Sequence, residues 1–309
     1  MKSASALSHF ITIIFLSFSC NAGTAKENET TCKAESQSNW CVEIGFDEII
    51  TTKADSLKFY SIAGKLNEAS IESKGISELF IDAAKAFLST PYVSNTLEVN
   101  DAEKLVVNLQ GVDCVTLLEY SLAIALSTKK GNGSFEDFAR FLICNRYRGG
   151  IIDGYPSRLH YFTEWLFEKQ EAGLIEMLNN LRGSKPHNTK VGFMTLRHHL
   201  YKQLKNEAYL QEMAKIEANI SAIKMNFIPK ENLRSVEHLI KDGDMIAFAT
   251  SIEGLDVSHT GIALQQSGRL FLLHASTKSN QVEISPVPLV EYIKPSRNVK
   301  GILVGRLLD

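Results

Sequence analysis

The amino-acid sequence predicts an α+β fold in which helices come first and an antiparallel sheet follows. Apolar residues recur with helical spacing within residues 54–223, and short β-rich runs occupy the chain from Asp244 onward. Helices that precede the strands, instead of alternating with them, are typical of α+β proteins and not of parallel βαβ units. With 309 residues, 44% of them hydrophobic, the chain can bury a large core.

The predicted elements follow the spacing of apolar residues. The predicted helices cover Ala54–Leu66, Ile76–Leu88, Val115–Ser127, Phe135–Cys144, Tyr161–Glu171, Met194–Leu204 and Tyr209–Ile223. The predicted strands cover Met245–Thr250, Val257–Leu264, Leu270–Ala275, Val282–Ile284 and Ile302–Leu307. We expect these elements to form one domain over residues 46–309, in which one helix packs on the sheet and further helices surround it.

The N-terminus has the pattern of a secretory signal peptide. One lysine precedes an apolar run over residues 10–16, and small residues follow around Ala22 and Ala25. The run is too short to span a bilayer, so we expect residues 1–25 to be cleaved and the protein to be periplasmic or otherwise exported, without a stable membrane span. Lipidation at Cys20 is the alternative, although no leucine stands three places upstream of that cysteine.

Residues 26–45 are polar and predict a linker. This linker contains Cys32 and Cys41, two of the five cysteines of the chain, and export to an oxidising compartment favours a disulfide between them. Two free thiols in a mobile tail are the alternative. We interpret Cys114 as a catalytic thiol and Cys144 as a buried structural one.

Several classes of function are excluded by the composition and by missing motifs. The formal net charge is −2, and the chain has no basic cluster typical of a nucleic-acid-binding protein. It has no HExxH or paired-cysteine zinc pattern, no G-x-S-x-G elbow and no phosphate-binding glycine loop. Adjacent His198 and His199 point about 100° apart on a helix and cannot chelate one ion together. We therefore expect neither a metal nor a cofactor.

Cys114 stands at a position that favours a nucleophile. Asp113 is a natural N-cap for the helix that follows, so Cys114 lies in the first helical turn, where unpaired N–H groups favour an anion. Such a position is one way to lower the pKa of a cysteine below its free value of about 8.5. The alternative is a small buried apolar residue, because Cys114 shares a helix face with Leu118 and Leu122.

Two histidines lie on neighbouring predicted strands. If Gln266 pairs with Arg269 around a two-residue turn, His274 faces Gly261 and is diagonal to His259; if Leu264 pairs with Arg269, the two histidines face each other. Either register places both rings on one face, roughly 5–8 Å apart. A thiol, a base and a group that orients the base are the components of acyl-transfer enzymes. Each histidine taken singly is more often a structural side chain.

Several short motifs together resemble the papain-like, NlpC-type cell-wall cysteine hydrolases. They are Thr90-Pro91-Tyr92, Asp113-Cys114-Val115-Thr116, Gly243-Asp244-Met245-Ile246, Ser258-His259-Thr260-Gly261-Ile262 and His274-Ala275. The resemblance implies that Cys114 attacks the substrate, that His259 is its base and that His274 orients the base. It also implies that Tyr92 and Ser258 line the substrate site. Val115-Thr116 departs from the family, in which Ser-Gly frequently follows the cysteine.

The middle of the chain resembles one branch of these enzymes, the N-acetylmuramoyl-L-alanine amidases. The residues that carry this resemblance are Arg146-Tyr147-Arg148, the run from Asp153 to Tyr161, Trp165 and Gly192-Phe193-Met194. It implies that peptidoglycan or muropeptides are the partners and that the amide between N-acetylmuramic acid and L-alanine is cut. The alternatives are an endopeptidase that cuts after D-glutamate in the stem peptide, a catalytically silent wall-binding module, and an acyltransferase on the same scaffold.

Arg158, His160 and Tyr161 are further candidates for substrate binding. Arg158 and His160 lie in a loop just before the predicted helix that begins at Tyr161, and the fork of an arginine can hold a substrate carboxylate through two bonds. The alternative is a surface arginine beside a histidine whose partners are Tyr161 and Glu164.

Overall fold

The structure, a computed structural model, describes residues 49–68, 73–178 and 180–309. The predicted signal peptide, the polar linker and the predicted Cys32–Cys41 disulfide all lie outside these residues. Within the described part of the chain, no helix is long and apolar enough to cross a membrane.

The described residues form helices and strands in the predicted order, and the α+β class is confirmed. The helices are α1 (Lys53–Glu68), α2 (Ile76–Lys85), α3 (Cys114–Lys130), α4 (Phe135–Arg146), α5 (Phe162–Glu171), α6 (Phe193–Leu196), α7 (Glu207–Ala222), α8 (Lys230–Val236) and α9 (Leu289–Ile293). The strands are β1 (Ile49–Ile50), β2 (Leu105–Val106), β3 (Ile175–Met177), β4 (Lys185–Pro186), β5 (Asn226–Pro229), β6 (Met245–Thr250), β7 (Val257–Gln266), β8 (Arg269–Ser276), β9 (Gln281–Ile284) and β10 (Val299–Leu307).

The single helix predicted over Met194–Leu204 is wrong. Only α6 forms there, and short 3₁₀ turns follow it at His198–Leu200 and Lys202–Lys205. The apolar spacing misleads because Leu196 and Leu200 are each 62% exposed and face no core. Hydrogen bonds to another helix shape the segment instead, since the Glu217 carboxylate of α7 accepts the backbone N–H groups of Met194 and Thr195.

The main sheet is antiparallel and is covered by helices on both faces. Its strands run in the order β4-β5-β10-β6-β7-β8-β9, and β3 also pairs with β10. On one face Ala247, Ile262 and Leu273 pack in the same cluster as the buried side chains of α3. On the other face Phe248 and Leu272 pack with apolar residues of α8 and α9. Because both faces of the sheet are covered, every residue of β6 is buried.

Helix α3 lies at the centre of the molecule. Every residue from Thr116 to Thr128 is buried, and α1, α2, α4 and β7 contact the helix. Burial of one large apolar side chain stabilises a fold by about 1.5–3 kcal/mol, so this helix is held rigidly. Rigid packing fixes the position of its first residue, Cys114.

The β7–β8 hairpin has the first of the two expected registers. Gln266 pairs with Arg269, and the turn residues Ser267 and Gly268 have φ values of 51° and 75°. These left-handed values are typical of a two-residue hairpin turn. The register runs to the pair Ile262–Leu273. Continued by one step, it places His274 opposite Gly261.

A β-bulge interrupts β7 at the predicted base. On β6, Ala247 pairs with Thr260 and Ala249 pairs with Val257, so two residues, Ser258 and His259, lie opposite the single residue Phe248. A bulge bends its strand and re-aims the side chains at that point, and bulges are frequent next to active sites.

Candidate active site

The helix that carries Cys114 begins with the predicted cap. The Asp113 side chain accepts the N–H groups of Val115 and Thr116 at 3.0 and 2.8 Å, and the Asp113 N–H donates to the Thr116 hydroxyl at 2.9 Å. This reciprocal capping box satisfies the N–H groups of Val115 and Thr116. Cys114 is the first helical residue, as predicted, and it is a free cysteine.

Thr260 connects Cys114 to the strand that carries His259. The Thr260 hydroxyl donates to the backbone carbonyl of Cys114 at 2.8 Å. The backbone N–H of Thr260 also stabilises the ionised form of the Cys114 thiol. The tertiary structure thus brings Cys114 to the immediate neighbour of His259, across 146 positions of the chain.

The Cys114 thiol is not ionised by its surroundings. Burial raises its pKa to about 11, and the negative charge of Asp113 acts in the same direction. The expectation of a lowered pKa is therefore wrong for the free protein. The cap that starts the helix also places a carboxylate beside the thiol, and this charge opposes the helix dipole. At neutral pH the thiol is protonated and needs a base before it can attack.

His259 and His274 form a hydrogen-bonded pair. Nε2 of His259 lies 2.8 Å from Nδ1 of His274, and the two rings are nearly perpendicular. Phe248 packs on the first ring and Tyr292 on the second. Burial lowers the pKa of His259 to about 3 and that of His274 to about 4, so both rings are neutral at neutral pH. Because Nε2 of His259 is occupied, Nδ1 is the nitrogen left to act as a base.

Tyr92 and Ser258 both lie close to these groups. Tyr92 forms a β-bridge with Val112, two residues before Cys114, and its N–H donates to the Asn280 carbonyl at 2.9 Å. Burial raises the pKa of the Tyr92 hydroxyl, and the charges of Cys114 and Asp113 add to this effect. Ser258 is exposed in the bulge beside His259. Both residues can therefore contact a substrate that reaches the thiol.

Arg158 is part of a buried ion-pair network and is not an open fork. Its side chain is 6% exposed, and its guanidinium nitrogens lie 2.7 Å from Glu98 and 3.2 Å from Glu103. Contrary to the expectation, the guanidinium of Arg158 is not free to bind a substrate carboxylate, because two protein carboxylates already balance its charge. Glu103 also accepts the Tyr147 hydroxyl at 2.9 Å, so the network joins three loops.

His160 and Tyr161 have structural partners as well. Nε2 of His160 lies 2.8 Å from the Tyr155 carbonyl, and burial lowers the pKa of His160 well below its usual value. The Tyr161 hydroxyl donates to Glu217 at 2.5 Å and accepts the Met194 N–H at 2.9 Å. These contacts fasten the middle segment. The partners suggested for His160 from the sequence are different, since Glu164 pairs with Arg148.

The motif residues Arg146 and Arg148 are also held by ion pairs. Arg146 is 1% exposed, lies 2.7 Å from Glu119 of α3 and donates to the Val106 carbonyl at 2.6 Å. Arg146 thus packs against the helix that carries Cys114, and Arg148 pairs with Glu164 of α5.

Cys144 is buried, as expected, but it is not a free thiol. It is disulfide-bonded. Cys114, the other cysteine among the described residues, is free.

Three residues of this region were not singled out from the sequence, namely Thr260, Phe248 and Glu283. Thr260 is the one whose signal was present, because it stands next to His259 in a β-rich run. Within the described part of the chain, no group of three or more His, Cys, Asp or Glu side chains could hold a metal ion.

The fold and the site together define an α+β protein with a thiol at a helix start beside a strand-borne histidine pair. The chain belongs to the AmiA-like family, described as N-acetylmuramoyl-L-alanine amidase-like, whose family model matches residues 82–302. No match was found among curated proteins.

Several solved structures are similar to this chain, and the first of them is named an amidase. A crystal structure of an N-acetylmuramoyl-L-alanine amidase from Bacteroides uniformis is 36% identical with a TM-score of 0.71, over 76% of this chain and 99% of that one. A Bacteroides fragilis protein named as a candidate xylanase is 39% identical with a TM-score of 0.69, over 74% and 100% of the two chains. A Legionella pneumophila protein shares the fold at 20% identity, with a TM-score of 0.64, over 83% of this chain and 95% of that one.

Proposed function

We propose that this protein is an exported cysteine amidase of the NlpC type that hydrolyses the amide between N-acetylmuramic acid and L-alanine in peptidoglycan or muropeptides. The main support is the Thr260 contact, which sets the only free cysteine of the described residues beside the strand that carries His259 and its partner His274. Family membership and the printed name of the Bacteroides uniformis relative support the choice of bond.

In the first half of the proposed reaction, the thiol of Cys114 attacks the lactyl carbonyl. Nδ1 of His259 takes the thiol proton as the C–S bond forms, because both groups are neutral before the attack. Asp113 occupies the N–H groups of Val115 and Thr116, so the N–H of Cys114 itself is the proposed helix-start donor to the oxyanion. His259 then protonates the amine of L-alanine, the C–N bond breaks, and a thioester remains.

In the second half, water replaces the peptide. Nδ1 of His259 removes a proton from water, whose oxygen attacks the thioester carbonyl. The C–S bond breaks, the proton returns to the sulfur, and the muramic acid carboxylate is released. His274 contributes by holding the His259 ring through Nε2.

The test is product analysis by mass spectrometry. Incubation with purified muropeptides should release N-acetylmuramic acid, or its anhydro form, together with an intact peptide that begins with L-alanine. Sugar that stays attached to L-Ala-D-Glu would instead indicate the endopeptidase. Transfer of the acyl group to an added amine would indicate an acyltransferase. Binding to sacculi without any product would indicate a silent wall-binding module.

Export is tested separately from the reaction. The pattern of residues 1–25 supports a cleaved signal peptide. The mature N-terminus of protein purified from the periplasmic fraction should begin near residue 26. Recovery of uncleaved protein from the cytoplasm would contradict export but leave the proposed reaction standing.

A further inference from the structure

A carboxylate stands behind the histidine pair, on the side away from its hydrogen bond. Glu283 of β9 pairs directly with His274 of β8 in the sheet register. Its Oε1 lies 3.9 Å from Nε2 of His274, which is a completely buried side chain. Among the described residues, this Nε2 atom has no hydrogen-bond partner at normal distance. Glu283 therefore has the position of an acceptor for a buried N–H.

The hydrogen bond between the two neutral rings allows two arrangements of protons. In the first, Nε2–H of His259 donates to Nδ1 of His274, so the His274 proton is on Nε2 and points to Glu283. The bare Nδ1 of His259 can then accept a proton. In the second, Nδ1–H of His274 donates to Nε2 of His259, and the His259 proton is on Nδ1. His259 cannot act as a base in that arrangement.

The charge of Glu283 distinguishes these arrangements. In the first, an N–H of His274 faces the carboxylate, which is attractive; in the second, a lone pair of His274 faces it, which is repulsive. We infer that Glu283 is a positioning residue that fixes the tautomers of both histidines, so that Nδ1 of His259 is left unprotonated. This inference rests on the proposed function only in treating His259 as the base.

The other groups around the pair leave this selection to Glu283. Lys278 lies over the Tyr292 ring at 4.9 Å, and its positive charge disfavours protonation of both histidines. The Ala275 carbonyl raises the pKa of His274, as the charge of Glu283 does. The phenol of Tyr292 has a partner in Ser276. Among the described residues, Glu283 is the carboxylate that lies within 4.0 Å of Nε2 of His274.

The location of Glu283 also suits this role. Its side chain is 23% exposed at the wall of a surface cavity of about 370 Å³ that Lys278, Tyr292 and Glu291 also line. The carboxylate therefore stays hydrated on one side while the other side faces the buried ring.

The direct test is the tautomeric state of the two histidines in the full-length protein. Long-range ¹⁵N–¹H spectra of histidine-labelled protein should show the proton on Nε2 in both rings of the wild type. Glu283→Gln replaces an obligatory acceptor by an amide that can also donate, so the variant should show His259 with a protonated Nδ1. Wild-type protein with Nδ1–H on His259, or unchanged tautomers in the variant, would overturn the inference.

Kinetics provide a second readout. Glu283→Gln should lower kcat by about 10–100-fold, as loss of a residue that orients a catalytic imidazole does, with little change in KM. Glu283→Asp should recover part of this loss, because it retains the charge. The matched control is Glu291→Gln, which removes a carboxylate of the same cavity that pairs with Arg269, and it should stay within about twofold of wild type.

The proposed function and the role inferred for Glu283 can be refuted separately. If Cys114→Ser remains active, the proposed function fails, whatever the histidine spectra show. If Cys114→Ser is inactive but Glu283→Gln retains wild-type tautomers and kcat, only the role of Glu283 is refuted.

Discussion

The Thr260 hydroxyl donates to the backbone carbonyl of Cys114 at 2.8 Å and so joins the nucleophile helix to the strand that carries the base. Both residues are fixed from behind, Cys114 by the buried helix α3 and Thr260 by its pairing with Ala247 of β6. The relative position of thiol and imidazole therefore depends on one side-chain hydrogen bond and on the packing of a helix against a sheet.

Thr260→Val should impair catalysis as well as stability. Valine has nearly the same shape but leaves the Cys114 carbonyl without its donor, which costs about 1–3 kcal/mol for a buried polar group. We expect a lower melting temperature. We also expect kcat to fall by a larger factor than the factor by which KM rises. Thr260→Ser is the matched control, since it keeps the hydroxyl. A valine variant with wild-type kcat would show that this contact does not position the thiol.

Cys114→Ser should abolish turnover with the fold intact. A serine hydroxyl is a much weaker nucleophile than a thiolate beside the same base, and we expect a loss on the order of 10³ or more in kcat. Activity on muropeptides and circular dichroism measure the two properties. Cys144→Ser is the control, because its sulfur is held in a disulfide and takes no part in the reaction; its kcat should stay within a few-fold of wild type, and the reverse pattern would refute the assignment.

His259→Ala should reduce kcat more than His274→Ala does. The first ring moves the proton, whereas the second only fixes the orientation and tautomer of the first. Comparison of kcat under saturating substrate measures the difference. Small and equal losses for both variants would contradict the role of the histidine pair.

The pH dependence should reflect two neutral partners and not a preformed ion pair. The pKa of Cys114 is raised to about 11, so alkylation of this thiol by iodoacetamide in His259→Ala should still accelerate between pH 8 and pH 10. The pKa of His259 is lowered to about 3, so the base stays unprotonated and kcat/KM should persist well below pH 6.5. An alkylation rate that levels off below pH 8 would contradict the first expectation.

The same shifts have consequences for stability. His259 and His274 bind their protons more weakly in the folded protein than in the unfolded chain, whose histidines have a pKa of about 6.5. The unfolded state therefore takes up more protons as pH falls below 6.5, and the free energy of unfolding should decrease from there toward pH 4. Chemical denaturation across this range measures the effect. His274→Asn should flatten the slope.

Arg158→Ala should act on stability more than on KM. Removal of the arginine leaves the buried carboxylate of Glu103 without its partner, and breaking a buried pair costs about 3–5 kcal/mol. We expect a large drop in melting temperature. Arg140→Ala removes the partly exposed pair with Asp137 and should cost about 0.2–1 kcal/mol. A stable Arg158→Ala variant with a strongly raised KM would restore Arg158 as a substrate ligand.

The sequence by itself determined the features that depend on neighbours within a few positions. The cap at Asp113, the placement of Cys114 at a helix start and most helices follow from local spacing and cap chemistry. The turn of the β7–β8 hairpin was left between two registers, and the structure has the one that pairs Gln266 with Arg269. The motifs in the middle of the chain, between Arg146 and Met194, also indicated the amidase family.

Only the tertiary structure decided the electrostatics and the partners. Burial reversed the expected shift in the pKa of Cys114, because desolvation depends on atoms contributed by distant segments. The sequence did not reveal that Arg158 is paired, because its partners Glu98 and Glu103 lie more than 50 positions away in the chain. The role inferred for Glu283 likewise depends on the β8–β9 register, which places it opposite His274. Local sequence carries propensity and periodicity, whereas charge pairing and solvent exclusion exist only once the chain has packed.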